Sequence, residues 1–160
     1  MTGEPIRTEQ AERRQVAALP WRRAADGSVE ILMITSRETR RWVTPKGGRM
    51  PGKTDAEAAA QEAWEEAGIT GQVEGHPFGT FRYLKRLKRR APRWCVVAVH
   101  PLAVETLADA WPEAHERERR WMSASQAAES VDEPDLADLI RAFARDLQGA
   151  APDSVDKPKA

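Results

Sequence analysis

The sequence of 160 residues has few features of disulfide-bonded, zinc-binding or membrane-spanning proteins. Its single cysteine, Cys95, excludes an internal disulfide, and zinc sites usually need several ligands of this kind. No apolar run approaches the roughly 18 residues that a membrane span requires. The first 14 residues lack the apolar stretch of a secretion signal. We therefore expect a soluble, cytoplasmic protein with no membrane partner.

The chain also lacks net charge, since 25 lysines and arginines balance 25 aspartates and glutamates. Its bulk electrostatics therefore indicate no polyanionic partner. Hydrophobic residues make up 41% and charged residues 31% of the chain, which is typical of a globular domain. A chain of this length buries about 70% of its unfolded surface, so a core forms without disulfides. We predict a flexible N-terminal arm over residues 1–12, one domain over 13–148 and a flexible tail over 149–160.

Strand and helix patterns alternate between the two ends. The apolar runs Gln15–Trp21 and Val29–Thr35 flank a turn built on Asp26–Gly27, which predicts a β-hairpin. The short run Trp42–Thr44 leads into Pro45–Gly48, where we expect both helix and strand to stop. Hairpins interleaved with helices imply a mixed sheet rather than a parallel one, so the predicted fold class is α/β (α+β).

Two more strands and a helix are predicted in the second half of the chain. Phe78–Leu84 and Trp94–Val99 are the strands, and the basic segment Lys85–Arg93 lies between them. Pro134–Leu147 forms an amphipathic helix, which buries the face that carries its apolar residues. These residues are Leu136, Leu139, Ile140, Phe143 and Leu147.

The clearest helical pattern covers Lys53–Ile69. Thr54 and Glu57 have the spacing of a capping box, in which each side chain accepts a hydrogen bond from the backbone N–H of the other residue. Five alanines raise the helix propensity and leave a thin surface for close packing. Gly68 stands where a glycine commonly ends a helix.

Three carboxylates project from one side of this helix, because Glu62, Glu65 and Glu66 are spaced i, i+3 and i+4. Like charges so placed destabilise a helix by about 0.2–0.5 kcal/mol per pair unless something neutralises them. Mg²⁺ is bound by oxygen ligands of this kind and commonly contacts substrate phosphates as well. A solvated acidic helix face is the alternative, and the triplet alone does not decide between the two.

The residues before the helix favour the metal site. Gly47 and Gly48 let the backbone approach a ligand closely and leave carbonyls free to turn toward a cation. A glycine loop, a capped helix and three clustered carboxylates follow one another along the chain. Together they predict a site for a metal and a diphosphate.

The same residues resemble the Nudix box, whose pattern is G-x5-E-x7-R-E-U-x-E-E-x-G-U, with U apolar. Gly47, Lys53 and Gln61–Ile69 have its spacing, and seven of the nine specified positions match if Ala63 counts as apolar. The flanking residues are similar to the diphosphoinositol polyphosphate phosphohydrolase branch of the Nudix hydrolase family. The resemblance covers about residues 14–145 and implies an α/β/α sandwich with a mixed β-sheet.

The resemblance further implies a hydrolase that cleaves a diphosphate bond with Mg²⁺, or Mn²⁺, as its cofactor. Glu62, Glu65 and Glu66 are the implied metal ligands, together with a main-chain carbonyl at Lys46 or Gly47. Glu65 is also the implied catalytic base. The implied substrate-binding residues are Thr35, Ser36, Arg37, Arg86 and Arg117.

Two positions depart from the box. Lys53 replaces a glutamate and places a cation near a helix N-terminus, where the helix dipole favours an anion. Gln61 replaces an arginine, and it retains the ability to hydrogen-bond Glu65 but not the charge. We interpret both departures as tuning of an active enzyme. A non-catalytic sensor that binds a phosphorylated metabolite is the alternative function.

A local concentration of positive charge indicates the substrate class. Seven lysines and arginines, and no acidic residue, lie between Arg82 and Arg93. Arginine binds phosphate in a bidentate manner, which favours a small polyphosphate such as a diphosphoinositol polyphosphate or a dinucleoside polyphosphate. A solvated hairpin loop is the alternative. Nucleic acid is the less favoured partner, because no aromatic-interleaved RNA motif accompanies the charges, and the sequence indicates no oligomeric state.

Overall fold

The computed structural model describes residues 12–149, which form eight β-strands and three α-helices. The strands are β1 (Glu12–Arg23), β2 (Val29–Thr35), β3 (Trp42–Val43), β4 (Lys46–Gly48), β5 (Ile69–Val73), β6 (Gly79–Leu87), β7 (Arg90–Leu107) and β8 (Arg119–Ser123). The helices are α1 (Asp55–Ala67), α2 (Ala124–Ser130) and α3 (Pro134–Gly149). None of these helices is long and apolar enough to cross a membrane. The predicted arm and tail lie almost entirely outside the described residues, and their boundaries and the cytoplasmic location stay predictions.

All eight strands belong to one mixed sheet, in which β1 occupies a central position. β1 pairs in parallel with β7 over ten residue pairs, from Glu12–Trp94 to Trp21–Ala103. It also pairs antiparallel with β2 and β4. β5 and β6 pair with β7, whereas β3 and β8 pair with β2. The predicted hairpin of β1 and β2 and the predicted mixed sheet are both confirmed.

Different helices cover the two faces of the sheet. Because side chains alternate along a strand, Val16 and Ala18 of β1 enter the core that contains α1. Ala17 and Leu19 enter the core that contains α2 and α3. All four side chains are fully buried, and burial of one leucine contributes about 1.5–3 kcal/mol. One strand thus anchors both layers of the α/β/α sandwich that the resemblance implied.

α1 packs closely on the sheet because its buried face consists largely of alanine. Ala58, Ala59 and Ala63 are fully buried, and their small side chains let the helix approach the strands. The predicted capping box is present: Thr54 Oγ1 accepts a hydrogen bond from Glu57 N at 3.1 Å, and Glu57 Oε1 accepts one from Thr54 N at 2.8 Å. Both the helix and its beginning are as predicted.

The predicted amphipathic helix is also present, as α3. Its buried Phe143 makes edge-to-face contacts with Trp21 and Phe78, with ring centroids 5.8 and 5.2 Å apart. The sequence analysis missed β5, β8 and α2, which contain five, five and seven residues. Elements this short hold too few turns or alternations to give a periodic signal.

The two strands predicted on either side of the basic segment Lys85–Arg93 extend into it, so the alternative of a solvated hairpin loop is wrong. β6 continues to Leu87 and β7 begins at Arg90, so only two residues form the turn between them. Arg89 in this turn has a φ of 59°, in the left-handed region that residues other than glycine seldom adopt. Most of the cations therefore stand on strands, where the alternation of side chains decides which way each one faces.

The prediction that strand structure stops at Pro45–Gly48 is also wrong. Lys46–Gly48 forms β4 and pairs with Gln15–Ala17 of β1. Three residues show no alternation of their own, and the strand exists because β1 offers backbone partners. This pairing fixes the glycines of the box beside the centre of the sheet.

A tryptophan covers the C-terminal end of α1. Gly68 has a φ of 69°, and its N–H donates a hydrogen bond to Trp64 O at 3.0 Å, which ends the helix in the left-handed region. The indole of Trp111 lies directly over this glycine. A Cβ at residue 68 would stand 2.6 Å from a ring carbon of Trp111.

Replacing Gly68 with alanine should therefore lower the free energy of unfolding by about 2 kcal/mol or more. The left-handed conformation costs a residue with a Cβ about 1–2 kcal/mol, and the new methyl group collides with the indole. Urea unfolding measures the loss. Gly75→Ala is the matched control, because a Cβ there meets nothing within 4 Å. Equal stability of the two variants would contradict the close contact with Trp111.

Candidate active site

A cleft of about 520 Å³ opens where β1, β4, β6 and α1 meet. The loop between β2 and β3 and the residues that precede β8 complete its walls. Six of the lining residues are cations and two are acids, although the whole chain has no net charge. The cations are Arg13, Arg37, Arg41, Lys46, Lys85 and Arg117. A lining of this kind raises the local concentration of anionic ligands.

Arg117 is the most firmly held of these cations. Its side chain is only 8% exposed, and its Nε donates a hydrogen bond to Glu113 Oε1 at 2.7 Å. Its Nη1 donates to Thr35 O at 3.1 Å, and its Nη2 lies 3.6 Å from Glu66 Oε2. The guanidinium thus presents its charge both to the cleft and to a buried carboxyl group.

Other cations of the cleft differ in their partners. Arg37 Nη1 lies 3.2 Å from Glu116 Oε1, so a carboxylate partly neutralises this arginine. Arg13 on β1 and Lys85 on β6 form no ion pair within 4.0 Å with any residue between 12 and 149. Within that range, no ion pair has to break before a ligand contacts either charge.

Two glutamates of α1 lie against β4. The carboxyl group of Glu62 lies so close to Gly47 that a Cβ at residue 47 would collide with it. Glu66 Oε1 accepts a hydrogen bond from Lys46 N at 3.3 Å. A side chain at residue 47 would therefore displace the Glu62 carboxyl group from its place beside β4.

Burial is the main reason that the pKa of Glu66 rises to about 8. The neighbouring Glu62 raises this pKa further, whereas Arg117 opposes the rise. Burial also raises the pKa of Glu62, and burial lowers the pKa of the Lys46 ammonium group. In the absence of a cation, the two carboxyl groups therefore resist carrying two negative charges together.

The donor atoms suit a hard divalent cation. Glu62 and Glu66 offer carboxylate oxygens beside the main chain of β4, and a cation between them would remove their repulsion. Glu65 is bonded instead to Gln61, whose Nε2 donates to Glu65 Oε2 at 2.7 Å. In the part of the chain described, no three histidine, cysteine, aspartate or glutamate side chains form a metal-binding group. A bound cation would therefore draw its other oxygen ligands from the main chain, water or a substrate.

The structure brings part of the predicted substrate site together. Ser36, Arg37 and Arg117 line the cleft, as the resemblance implied. Thr35 lies beneath its wall and is 3% exposed. Its Oγ1 accepts a hydrogen bond from Glu118 N at 2.8 Å, so this side chain supports the wall and does not face a ligand.

Arg86 does not line the cleft. It is exposed and stands at an irregularity in the pairing of β6 with β7. Tyr83 and Lys85 line the cleft from the same side of β6 as the buried Phe81. Sequence reasoning missed Lys85, although the two-residue period that starts at Phe81 would have found it. It also missed Arg13, which lines the cleft from β1.

The raised pKa of Glu66 leads to a pH dependence of stability. In the metal-free folded protein this pKa is about 8, against 4.5 ordinarily, so the folded state holds a proton that the unfolded chain releases. The residue's contribution to the free energy of unfolding is therefore most favourable at low pH and falls as the pH rises from about 4.5 to about 8.

The free energy of unfolding of Glu66→Gln should therefore rise relative to that of the wild type as the pH increases from about 5.5 to about 8.5. Urea unfolding in EDTA measures this difference. The glutamine removes the cost of ionisation and nearly keeps the shape of the side chain. A stability difference that stays constant across this range would contradict a buried, protonated carboxyl group.

Comparisons of the sequence identify relatives. The model of the NUDIX domain family matches residues 12–143. Nudix hydrolase 17, mitochondrial, of Arabidopsis thaliana is 33% identical over 136 residues, which are 81% of this chain and 72% of that protein. Diphosphoinositol polyphosphate phosphohydrolase 3-beta of Homo sapiens is 30% identical over 117 residues, which are 72% of this chain and 66% of that protein.

Comparison of the fold with solved structures agrees with the sequence comparisons. A binary complex of the C. elegans Ap4A hydrolase is 26% identical with a TM-score of 0.61, and the match covers 86% of this chain and 98% of that one. A NUDIX hydrolase from Nitrosomonas europaea has a TM-score of 0.64 at 15% identity and covers 82% of this chain and 88% of that one, which shows the fold alone. The family match spans most of the chain and includes the box at residues 47–69. The protein therefore belongs to the NUDIX domain family.

Proposed function

We propose that this protein uses Mg²⁺, or Mn²⁺, to hydrolyse a diphosphate bond in a small molecule that bears several phosphates. The main observation behind this proposal is that the carboxyl groups of Glu62 and Glu66 lie next to a cleft lined by six cations. Phosphoryl transfer asks a protein mainly to position the reacting groups and to neutralise charge on oxygens. The side chains of this cleft can do both: they can position a phosphorylated substrate and neutralise its charge.

The distribution of the cations favours a substrate with phosphates at more than one place. Lys46 and Arg117 lie near Glu66, whereas Arg13 and Lys85 reach the cleft from β1 and β6. A dinucleoside polyphosphate or a diphosphoinositol polyphosphate would satisfy both groups of charges. The names of two similar proteins support this class, since one is an Ap4A hydrolase and the other a diphosphoinositol polyphosphate phosphohydrolase.

The chemistry assigns different tasks to neighbouring glutamates. When bound, Mg²⁺ supplies a Lewis acid for the phosphate oxygens and lowers the pKa of a coordinated water. Glu62 and Glu66 would hold it, with a main-chain carbonyl at Lys46 or Gly47. Glu65 is the proposed base, which accepts a proton from the attacking water at Oε1 while Gln61 fixes Oε2. Because Gln61 is uncharged, it orients the carboxylate without neutralising it.

A non-catalytic sensor is the second candidate function. The observations that favour it are Lys53 and Gln61, which replace a glutamate and an arginine of the box. The same cleft would then bind a phosphorylated metabolite without cleaving it. Calorimetric titration and separation of the cleavage products, measured on the same compound, distinguish the two functions. Binding without cleavage in Mg²⁺ would favour the sensor.

Glu66→Gln and Glu65→Gln should each lower turnover by about a hundredfold or more, because a metal ligand and a general base make contributions of this size. Turnover is measured as Mg²⁺-dependent hydrolysis of Ap4A and of a diphosphoinositol polyphosphate. Glu129→Gln on the exposed side of α2 removes a charge far from the cleft and serves as the control. Near-normal turnover in both cleft variants would eliminate the proposed site.

Lys85 and Arg86 provide a matched pair for the substrate. Lys85→Ala should raise the KM for a polyphosphorylated substrate about tenfold or more, since a charge-assisted contact to phosphate contributes about 1.5–3 kcal/mol. Arg86→Ala should change KM by less than about threefold, because Arg86 lies outside the cleft lining. A larger increase in KM for Arg86→Ala than for Lys85→Ala would instead identify Arg86 as the substrate contact and reject Lys85.

A further inference from the structure

One segment of the chain, residues 108–119, holds the last turn of α1; we call it the clamp segment. The final carbonyls of a helix lack partners within the helix and must bond elsewhere. Here four consecutive carbonyls accept hydrogen bonds from the clamp segment. They are Glu65 O from Glu113 N at 3.0 Å, Glu66 O from Trp111 Nε1 at 3.1 Å, Ala67 O from Arg119 Nη1 at 2.7 Å and Gly68 O from Ala108 N at 2.8 Å.

Trp111 stands at the centre of this arrangement. Its indole lies against the backbone of Gly68, and the guanidinium of Arg119 lies over the ring, with Cζ 4.0 Å from the ring centroid. Arg119 Nη2 also donates a hydrogen bond to Ala108 O at 2.6 Å, which ties the two ends of the clamp segment together. The contacts with Gly68 and Arg119 hold the ring in place, so the indole N–H stays directed at Glu66 O.

The clamp segment also reaches the side chain of the same glutamate. Arg117 belongs to this segment, and its Nη2 lies 3.6 Å from Glu66 Oε2. Glu66 is therefore held at its main chain by Trp111 and at its carboxyl group by Arg117. Trp111 and Arg119 themselves do not line the cleft, so any effect they have on the reaction passes through Glu66.

We infer that Trp111 and Arg119 are positioning residues of the metal centre. Their hydrogen bonds fix the peptide groups on the C-terminal side of the Glu66 Cα. Those groups set the direction of the Cα–Cβ bond and hence the place of the carboxylate. The inference rests on the proposed function for the role of Glu66. Groups one hydrogen bond away from a metal ligand commonly change metal affinity or activity by about 10–100-fold.

The test is Mn²⁺ binding without substrate, followed by electron paramagnetic resonance. Trp111→Phe keeps an aromatic ring over Gly68 and removes the N–H, so the Kd for Mn²⁺ should rise about 10–100-fold. For hydrolysis of Ap4A at saturating Mn²⁺, kcat should fall while KM stays within about twofold, because no substrate contact is lost. Trp94→Phe, at a tryptophan 43% exposed on β7, should leave Kd and kcat unchanged.

Arg119→Lys provides a second variant that does not depend on the indole. Lysine keeps the positive charge but lacks the planar guanidinium fork, whose two terminal nitrogens donate separately to Ala67 O and Ala108 O. It should also weaken Mn²⁺ binding, and it carries the test if Trp111→Phe shows no cooperative thermal unfolding.

The outcomes separate the inference from the proposed function. Folded variants with a lower thermal midpoint in EDTA but unchanged Mn²⁺ affinity and kcat would overturn the inference, since the clamp segment would then serve stability alone. A wild-type protein that binds no Mn²⁺, or a Glu66→Gln variant that binds it as well as wild type, would overturn the proposed function. Weakened Mn²⁺ binding in the clamp variants, with Trp94→Phe unaffected, supports the inference even if no hydrolysis is detected.

Discussion

The buried carboxyl group of Glu66 and the half-buried one of Glu62 lie beside the backbone of β4, where loss of solvent raises the pKa of both. Burying such groups costs free energy unless hydrogen bonds or opposite charges offset it. Arg117 and the N–H of Lys46 supply part of that compensation. The alanine face of α1 brings the helix close to the sheet, and the missing side chain of Gly47 leaves room for the Glu62 carboxyl group. The structure around α1 therefore holds two carboxyl groups at a place where neither would ionise easily without the neighbouring hydrogen bonds and charges.

The cleft concentrates positive charge in a chain that has none overall. Its cations come from strands and loops that are far apart in the sequence, and the sheet brings them together. Carboxylates hold Arg37 and Arg117 in place, so a phosphate that binds there competes with Glu116 or Glu113. Such internal pairs keep arginines oriented and favour ligands with several charges over ligands with one.

The parts of the molecule that were predictable from the sequence are those that depend on residues close together in the chain. α1 and its capping box follow from residues within one turn of each other, and the spacing of the box identified the glutamates and Gly47. β4 was not predictable, because its three residues are a strand only beside β1. The family resemblance implied Arg86, whereas the alternation along β6 selects Lys85. The bond from Trp111 to Glu66 O spans 45 residues and leaves no local pattern.

The position of β1 has a consequence for how the protein folds. β1 is the first strand among residues 12–149, yet its parallel partner β7 follows about 80 residues later. Closing a loop of that length costs entropy before the contacts are gained, so this pairing is intrinsically slow. β6 reaches β1 only through β7, so Arg13 and Lys85 come together only after β7 has joined the sheet. A nascent chain that ends before β7 thus carries the entire Nudix box but has no cleft in which to use it.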